Sequence, residues 1–293
     1  MMKNILTLCF LLVAASANLR GQVLDLEMPD TDRKSPIEVT YKITNGDTLN
    51  LIFRYPPGFK PKKKYPAIIF FFGGGWNGGK VSQFQPQAEY FASRGMITIL
   101  ANYRVKSRHK TTPYEAVSDA KSAMRYLRRH AKKLNINPKK IVASGGSAGG
   151  HLAAACGTLP GLDEPGEDLS ISSKANALVL FNPVFDNGPA GFQHERMGAR
   201  WQEISPAHNI KKGAPPTIVF LGTKDRLIPV SIAENYQAKM KQVGSRCDLH
   251  LYEGQTHGFF NQKKDSHEYY NRTVRETDLF LRTLKFIKGK PKI

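Results

Sequence analysis

Apolar residues in this chain fall into short continuous runs and longer stretches with helical spacing. Two early runs, residues 39–43 and 49–55, alternate apolar and polar positions around Asn45-Gly46, which predicts an antiparallel hairpin. Six later runs, at 67–72, 96–101, 140–144, 177–181, 217–221 and 248–252, are predominantly apolar. Such runs are expected of parallel strands covered on both faces. Between them, residues 113–134 carry Ala116, Ala120, Ala123, Met124, Leu127, Ala131 and Leu134 on one helical stripe, with Lys121, Arg125, Arg128 and Arg129 elsewhere. That predicts a core-facing helix with a basic outer face. Residues 229–243 and 270–287 repeat the pattern less cleanly. The alternation implies an α/β fold with a mostly parallel central sheet, helices on both faces and antiparallel N-terminal strands. No internal repeat, low-complexity tract or linker divides the 293 residues, so residues 18–293 read as a single domain.

The N-terminus follows a different rule. Lys3 precedes the apolar stretch 5–15, and Ala15-Ser16-Ala17 offers the small residues that signal peptidases prefer. The run is too short to span a bilayer. Residues 1–17 therefore read as a signal peptide, the mature chain as beginning near Asn18, and the protein as exported without a stable membrane anchor. Cys9 lies inside the leader. Cys156 and Cys247 remain, one bridge between them is permitted but not implied, and two buried free thiols are expected.

Candidate chemistry centres on Gly145-Gly146-Ser147-Ala148-Gly149, a G-x-S-x-G pattern between an apolar run and the alanine-rich stretch 148–156. A strand that reverses sharply into a helix holds the central serine in a strained conformation and exposes its hydroxyl. The same turn presents the Ala148 N–H at a helix N-terminus, where a developing oxyanion is stabilised. The competing reading makes Ser147 a helix cap in a glycine-rich turn. Further along, the run at 217–221 ends in Gly222-Thr223-Lys224-Asp225, and the run at 248–252 leads to Gly254-Gln255-Thr256-His257. Serine, aspartate and histidine thus each follow a strand, in the chain order of an α/β-hydrolase triad. Asp225 alone could be a strand-end cap, and His257 a structural histidine. His109, His130 and His267 lie in polar or basic surroundings and are expected to be solvated, whereas His151 is expected to pack against the sheet. With no H-E-x-x-H or paired-cysteine spacing, no metal or other cofactor is expected.

A second element is the buried run 67–72 followed by Gly73-Gly74-Gly75-Trp76-Asn77-Gly78-Gly79-Lys80, whose unobstructed amides suit the other half of an oxyanion hole. Gly73-x-Gly75-x-x-Gly78 also matches a dinucleotide fingerprint, and Gly74 to Lys80 a phosphate loop. The phosphate loop lacks its Ser or Thr, because Val81 stands there. The dinucleotide loop should open directly into a helix, yet Pro86 interrupts the next segment.

Taken together, the Gly73–Trp76 loop, Gly145-Gly-Ser147-Ala-Gly-Gly-His151-Leu-Ala, Ser205-Pro206, Gly222-Thr-Lys-Asp225 and His257-Gly-Phe259 resemble an α/β-hydrolase of the esterase and lipase kind. The branch is the one related to hormone-sensitive lipase and to bacterial carbohydrate acetyl esterases of the acetyl xylan type. The resemblance implies Ser147 as nucleophile, His257 as general base and acid, Asp225 as its orienter, and the amides of Gly74, Gly75 and Ala148 as oxyanion donors. Trp76 becomes a candidate substrate contact. The family usually reads His-Gly-Gly-Gly, and Phe72 stands at the histidine position, which removes that side chain's hydrogen bonds from the loop. Residues 182–209 would form a small, polar cap with Phe192 and Trp201 as its main apolar groups. That suits a short acyl group on a polar alcohol, such as an acetylated polysaccharide, better than a long acyl chain. A serine peptidase of the same fold, or a non-catalytic carbohydrate-binding protein retaining it, are the competing functions. The formal net charge of +19 is dispersed rather than clustered with aromatics, which argues against a nucleic-acid partner and allows attraction to an acidic glycan.

Overall fold

The computed structural model describes residues 36–293, and the signal peptide expected at 1–17 and the mature start near Asn18 lie outside them. Strands β1 (Ile37–Thr44) and β2 (Asp47–Arg54) form the expected hairpin, turning on Asn45 and Gly46 at φ 50° and 83°. Both positive angles are those a two-residue hairpin of type I′ needs. Strands β3 (Tyr65–Phe71), β4 (Ile97–Ala101), β5 (Ile136–Gly146), β6 (Ala177–Phe181), β7 (Thr217–Gly222) and β8 (Cys247–Tyr252) complete one eight-stranded sheet. Its order is β1-β2-β4-β3-β5-β6-β7-β8, with β1-β2 and β2-β4 antiparallel and all other pairs parallel.

Eight helices accompany the sheet among the described residues: α1 (Gln85–Ser93), α2 (Lys106–His109), α3 (Pro113–Arg129), α4 (Ala148–Thr158), α5 (His194–Met197), α6 (Trp201–Ile204), α7 (Val230–Gln242) and α8 (Glu268–Thr283). Successive strand residues point to opposite faces, so the central strands feed two cores. Ile69, Phe71, Ala143, Leu180 and Val219 pack with the inner faces of α3, α4 and α7. Ile68, Phe70, Val142, Val179 and Phe220 pack with those of α1 and α8. The parallel strands end on one edge, where the loops after β3, β5, β6, β7 and β8 converge.

Several expectations are corrected here. Pro86 does not break the chain but sits in the first turn of α1, where its missing N–H would have had no helical acceptor. The helix expected at 113–134 ends at Arg129. The basic face of α3 is solvated only in part: Arg129 is exposed and Arg128 half-buried, but Lys121 and Arg125 are buried under the loop between α4 and β6. There Lys121 pairs with Asp163 at 3.0 Å, and Arg125 with Asp163 and Glu167 at 2.5 and 2.9 Å. Next to them Lys42 pairs with Asp119 (2.7 Å) and Glu164 (2.6 Å), and Arg104 with Asp119 (2.7 Å). Four cations face four carboxylates, so buried charges are compensated and the helix can stay in the interior. His130 is buried as well, against the Tyr126 ring, while His109 is half-buried and His267 exposed. Both cysteines are free thiols; Cys156 is buried and Cys247 only partly so.

Candidate active site

Ser147 joins β5 to α4 at φ 55° and ψ −120°. A β-carbon at such a positive φ costs of order 1–3 kcal/mol, which the surroundings must supply. They do so by close packing. Ser147 N donates to Phe181 O at 2.9 Å, and Ser147 O accepts from His151 N and Val184 N. A methyl group on Gly149 would overlap the carbonyl oxygens of Phe71 and Phe72, and one on Gly145 the carbonyl of Gly149. The turn therefore exists only with glycine at both places. The Ser147 side chain makes no capping hydrogen bond to α4, so the cap reading fails and its hydroxyl is uncommitted.

Asp225 follows β7 with its carboxylate fully buried. Its Oδ1 accepts from Leu227 N (2.8 Å) and Ile228 N (3.0 Å), which fixes the carboxyl plane. Its Oδ2 lies 2.7 Å from His257 Nδ1. Because an ionised carboxylate can only accept, Nδ1 donates to Oδ2 and Nε2 is left unprotonated in the neutral ring. Ser147 and His257 line the same cavity of about 390 Å³, together with Gly73, Gly74, Gly75, Gln83, Asn182, Phe192, Leu227 and Phe260. Three loops that the sequence reading selected independently thus meet at one opening. Ser147 Oγ itself donates to no described residue; catalytic hydrogen bonds of unliganded sites commonly close only around substrate.

The glycine loop has φ +129° at Gly74, +60° at Gly75 and +55° at Trp76. Gly73 N is taken by Gln83 Oε1 at 2.7 Å, and Gln83 is tied to Asn261 at 3.2 Å. Among the described residues the amides of Gly74 and Gly75 donate to no acceptor, and that of Ala148 heads α4. Phe72, in place of the histidine, stacks on Tyr103 with ring centroids 4.1 Å apart, and the Tyr103 hydroxyl donates to Phe72 O at 2.6 Å. An aromatic brace replaces a polar one.

Trp76 is not placed to touch substrate. Its ring is fully buried, edge-on to His151 at 5.0 Å and near Phe192 at 6.1 Å, and it is absent from the cavity wall. It holds the loop down rather than reading a ligand. His151 packs against this ring, and its Nε2 donates to Ile204 O at 2.7 Å, away from the sheet face expected for it. Burial pushes it down to about 4, so it is neutral at physiological pH.

Asn182, at the end of β6, was not singled out by motif. It adopts φ 31°, and its amide nitrogen lies 3.3 Å from both ring nitrogens of His257, so it covers the ring face. Its only sequence signal is its place after an apolar run. Among the described residues no group of three or more His, Cys, Asp or Glu is arranged to hold a metal ion.

With this geometry, two family models match the chain: BD-FAE over residues 55–189 and the dienelactone hydrolase family over 173–289. Esterase 2 of Thermogutta terrifontis, solved after phosphoramylation by tabun, is 44% identical with a TM-score of 0.85, covering 90% of this chain and 100% of its own. The chain belongs to the esterase branch of the α/β-hydrolases.

The propionate-bound form of the same α/β-hydrolase esterase gives 43% identity and a TM-score of 0.84, covering 89% of this chain and 98% of that one. Among curated relatives, the acetylxylan esterase of Xylanibacter ruminicola is 25% identical over 66% of this chain and 41% of its own length. A probable carboxylic ester hydrolase of Mycobacterium tuberculosis, LipM, is 29% identical over 62% and 46%. This α/β-hydrolase spans about half the length of the curated relatives it matches.

Proposed function

We propose that this α/β-hydrolase is a serine carboxylic-ester hydrolase that removes an acetyl or other short acyl group from a carbohydrate or similar polar alcohol. One observation carries the reading: a strained, uncommitted Ser147 opens into the same cavity as a histidine whose Nδ1 is bound to a buried aspartate. Ser147 Oγ attacks the ester carbonyl as His257 Nε2 takes its proton. The carbonyl oxygen becomes an oxyanion received by the amides of Gly74, Gly75 and Ala148. Collapse breaks the bond to the alcohol, which leaves with the proton from His257. Water, deprotonated by the same nitrogen, then releases the acid and restores Ser147. Asp225 keeps the imidazole in the required tautomer and stabilises the imidazolium.

The short-acyl preference is supported by the modest cavity, by the propionate and butyrate bound to the Thermogutta enzyme, and by the acetylxylan activity named for one relative. A fluorophosphonate probe should label the wild type and spare Ser147→Ala, and an unlabelled wild type would sink the proposal. Turnover should fall from acetyl to butyryl to octanoyl esters, and acetylated xylan should be deacetylated. A preference for octanoyl would overturn the acyl assignment. The net charge of +19 supports attraction to acidic acetylated glycans. Activity on these should then be more salt-sensitive than on neutral ones, and equal sensitivity would remove that part. The leader read at 1–17 supports export, to be checked by N-terminal sequencing of protein recovered outside the cytoplasm, with Asn18 expected first.

A further inference from the structure

The glycine loop that would receive the oxyanion is held in place from the cap. Arg196, on α5, sends Nη1 to Gly75 O at 2.6 Å and Nη2 to Trp76 O at 3.2 Å, with its guanidinium 6.0 Å from the Trp76 ring centroid. Gly74 O is already held by Asn77 N (3.0 Å), and Trp76 O also accepts from Lys106 N (3.0 Å). Among the described residues Gly75 O has no partner except Arg196. Among the described residues the guanidinium faces no carboxylate, and its only other hydrogen bond goes to Gln193 Oε1 at 3.2 Å. Its charge is therefore spent on the loop.

The mechanical consequence follows from the backbone. Trp76 is a side-chain-bearing residue at φ +55°, after two glycines that also have positive φ. Such a segment relaxes by rotating the Gly75–Trp76 peptide plane, the plane whose carbonyl Arg196 grips. That rotation changes ψ at Gly75 and displaces its Cα, the atom through which the Gly75 N–H of the preceding peptide plane is joined to the gripped one. The planar fork spans two successive carbonyls at once, which a lysine ammonium cannot reproduce.

The geometry points to Arg196 as a positioning residue for the oxyanion hole, supplied by the cap and tying cap geometry to the chemical step. It never touches substrate; by holding the two carbonyls that follow, it keeps the Gly75 Cα, and with it the Gly75 N–H, in place, and it sets a positive charge behind the loop. This rests on the esterase reading given above.

The test uses wild type, Arg196→Ala and Arg196→Lys on an acetyl ester, with active sites counted by fluorophosphonate labelling at completion so that misfolded protein is excluded. Loss of one oxyanion donor typically costs 10²–10³ in kcat, so a mis-set donor should lower kcat per labelled site roughly 10- to 100-fold. KM should stay within about 2-fold, and the rate of labelling, whose phosphoryl oxygen occupies the same hole, should fall in parallel. Lysine should restore little, whereas added guanidinium should partly restore the alanine variant. An unchanged kcat per labelled site, or a change confined to KM, overturns the assignment. If the wild type is neither labelled nor active, the esterase reading itself falls, and the assignment with it.

Discussion

Asp225→Asn tests the site at the point where geometry makes its outcome calculable. The two carboxyl oxygens do different work: Oδ1 accepts from Leu227 N and Ile228 N, and Oδ2 meets His257 Nδ1. Asparagine must choose which position keeps the oxygen. Placing its NH₂ against the two backbone donors would strand two N–H groups at about 1–3 kcal/mol each, at least roughly 30-fold in population. The NH₂ group therefore faces Nδ1 and donates to it. That forces the proton onto Nε2, the nitrogen that must accept the Ser147 proton. The fold is retained while the base is disabled, and a wrong tautomer of this kind costs about 10⁴ in kcat, or about 5.4 kcal/mol. Steady-state hydrolysis of an acetyl ester, with Tm measured on the same sample, reads both parts. A kcat loss below about 10-fold at unchanged Tm would refute the role assigned to Asp225.

Other perturbations address the scaffold. Gly149→Ala should fail to accumulate or lose at least about 3 kcal/mol of stability by urea titration, because its methyl meets two carbonyl oxygens with no room to move; a near-wild-type midpoint would contradict the elbow geometry. His151 is neutral in the fold at about 4 against an ordinary 6.5, so the unfolded chain binds the extra proton. Stability is complete above about pH 6.5 and falls by on the order of 3 kcal/mol as pH drops to about 4. His151→Gln should flatten the urea midpoint across that window, and an unaltered slope would count against the burial argument. Asp119→Asn removes one of the two carboxylates facing the buried cations Lys42 and Arg104, leaving Glu164 to serve both, and should cost about 3–5 kcal/mol. For a domain of this size that is a fall of about 6–20 °C in Tm by calorimetry; no shift would mean the cluster is solvated in solution.

Much of this was legible before any coordinates. The strands were readable because the first two alternate around a turn and the later ones are mainly apolar runs ending in a turn, and β6 falls at residues 177–181 as expected. The three chemical residues were readable for the same reason: each stands just past such a run, where parallel strands release their loops to one edge. Helix α1 was missed because Pro86 was given more weight than the spacing of Ala88, Phe91 and Ala92, although first-turn proline is harmless. Lys121 and Arg125 were misread because their acidic partners lie about 40 residues away, beyond the reach of any periodic pattern. Arg196 and Asn182 escaped for a related reason. One binds carbonyl oxygens and the other covers a ring face, and neither relation leaves a trace in residue spacing. Trp76 was misassigned because a tryptophan beside a glycine loop looks the same in sequence whether it faces inward or outward.

The cluster of four cations and four carboxylates beneath the loop between α4 and β6 changes what heat does to that loop. Connections without regular structure normally loosen first, since little burial holds them. Here residues 163–167 are anchored through charges, and the penalty for dehydrating charges shrinks as temperature rises. The anchor therefore strengthens relative to the apolar core on warming. On a heating ramp followed by hydrogen exchange, this irregular stretch should open together with the central strands.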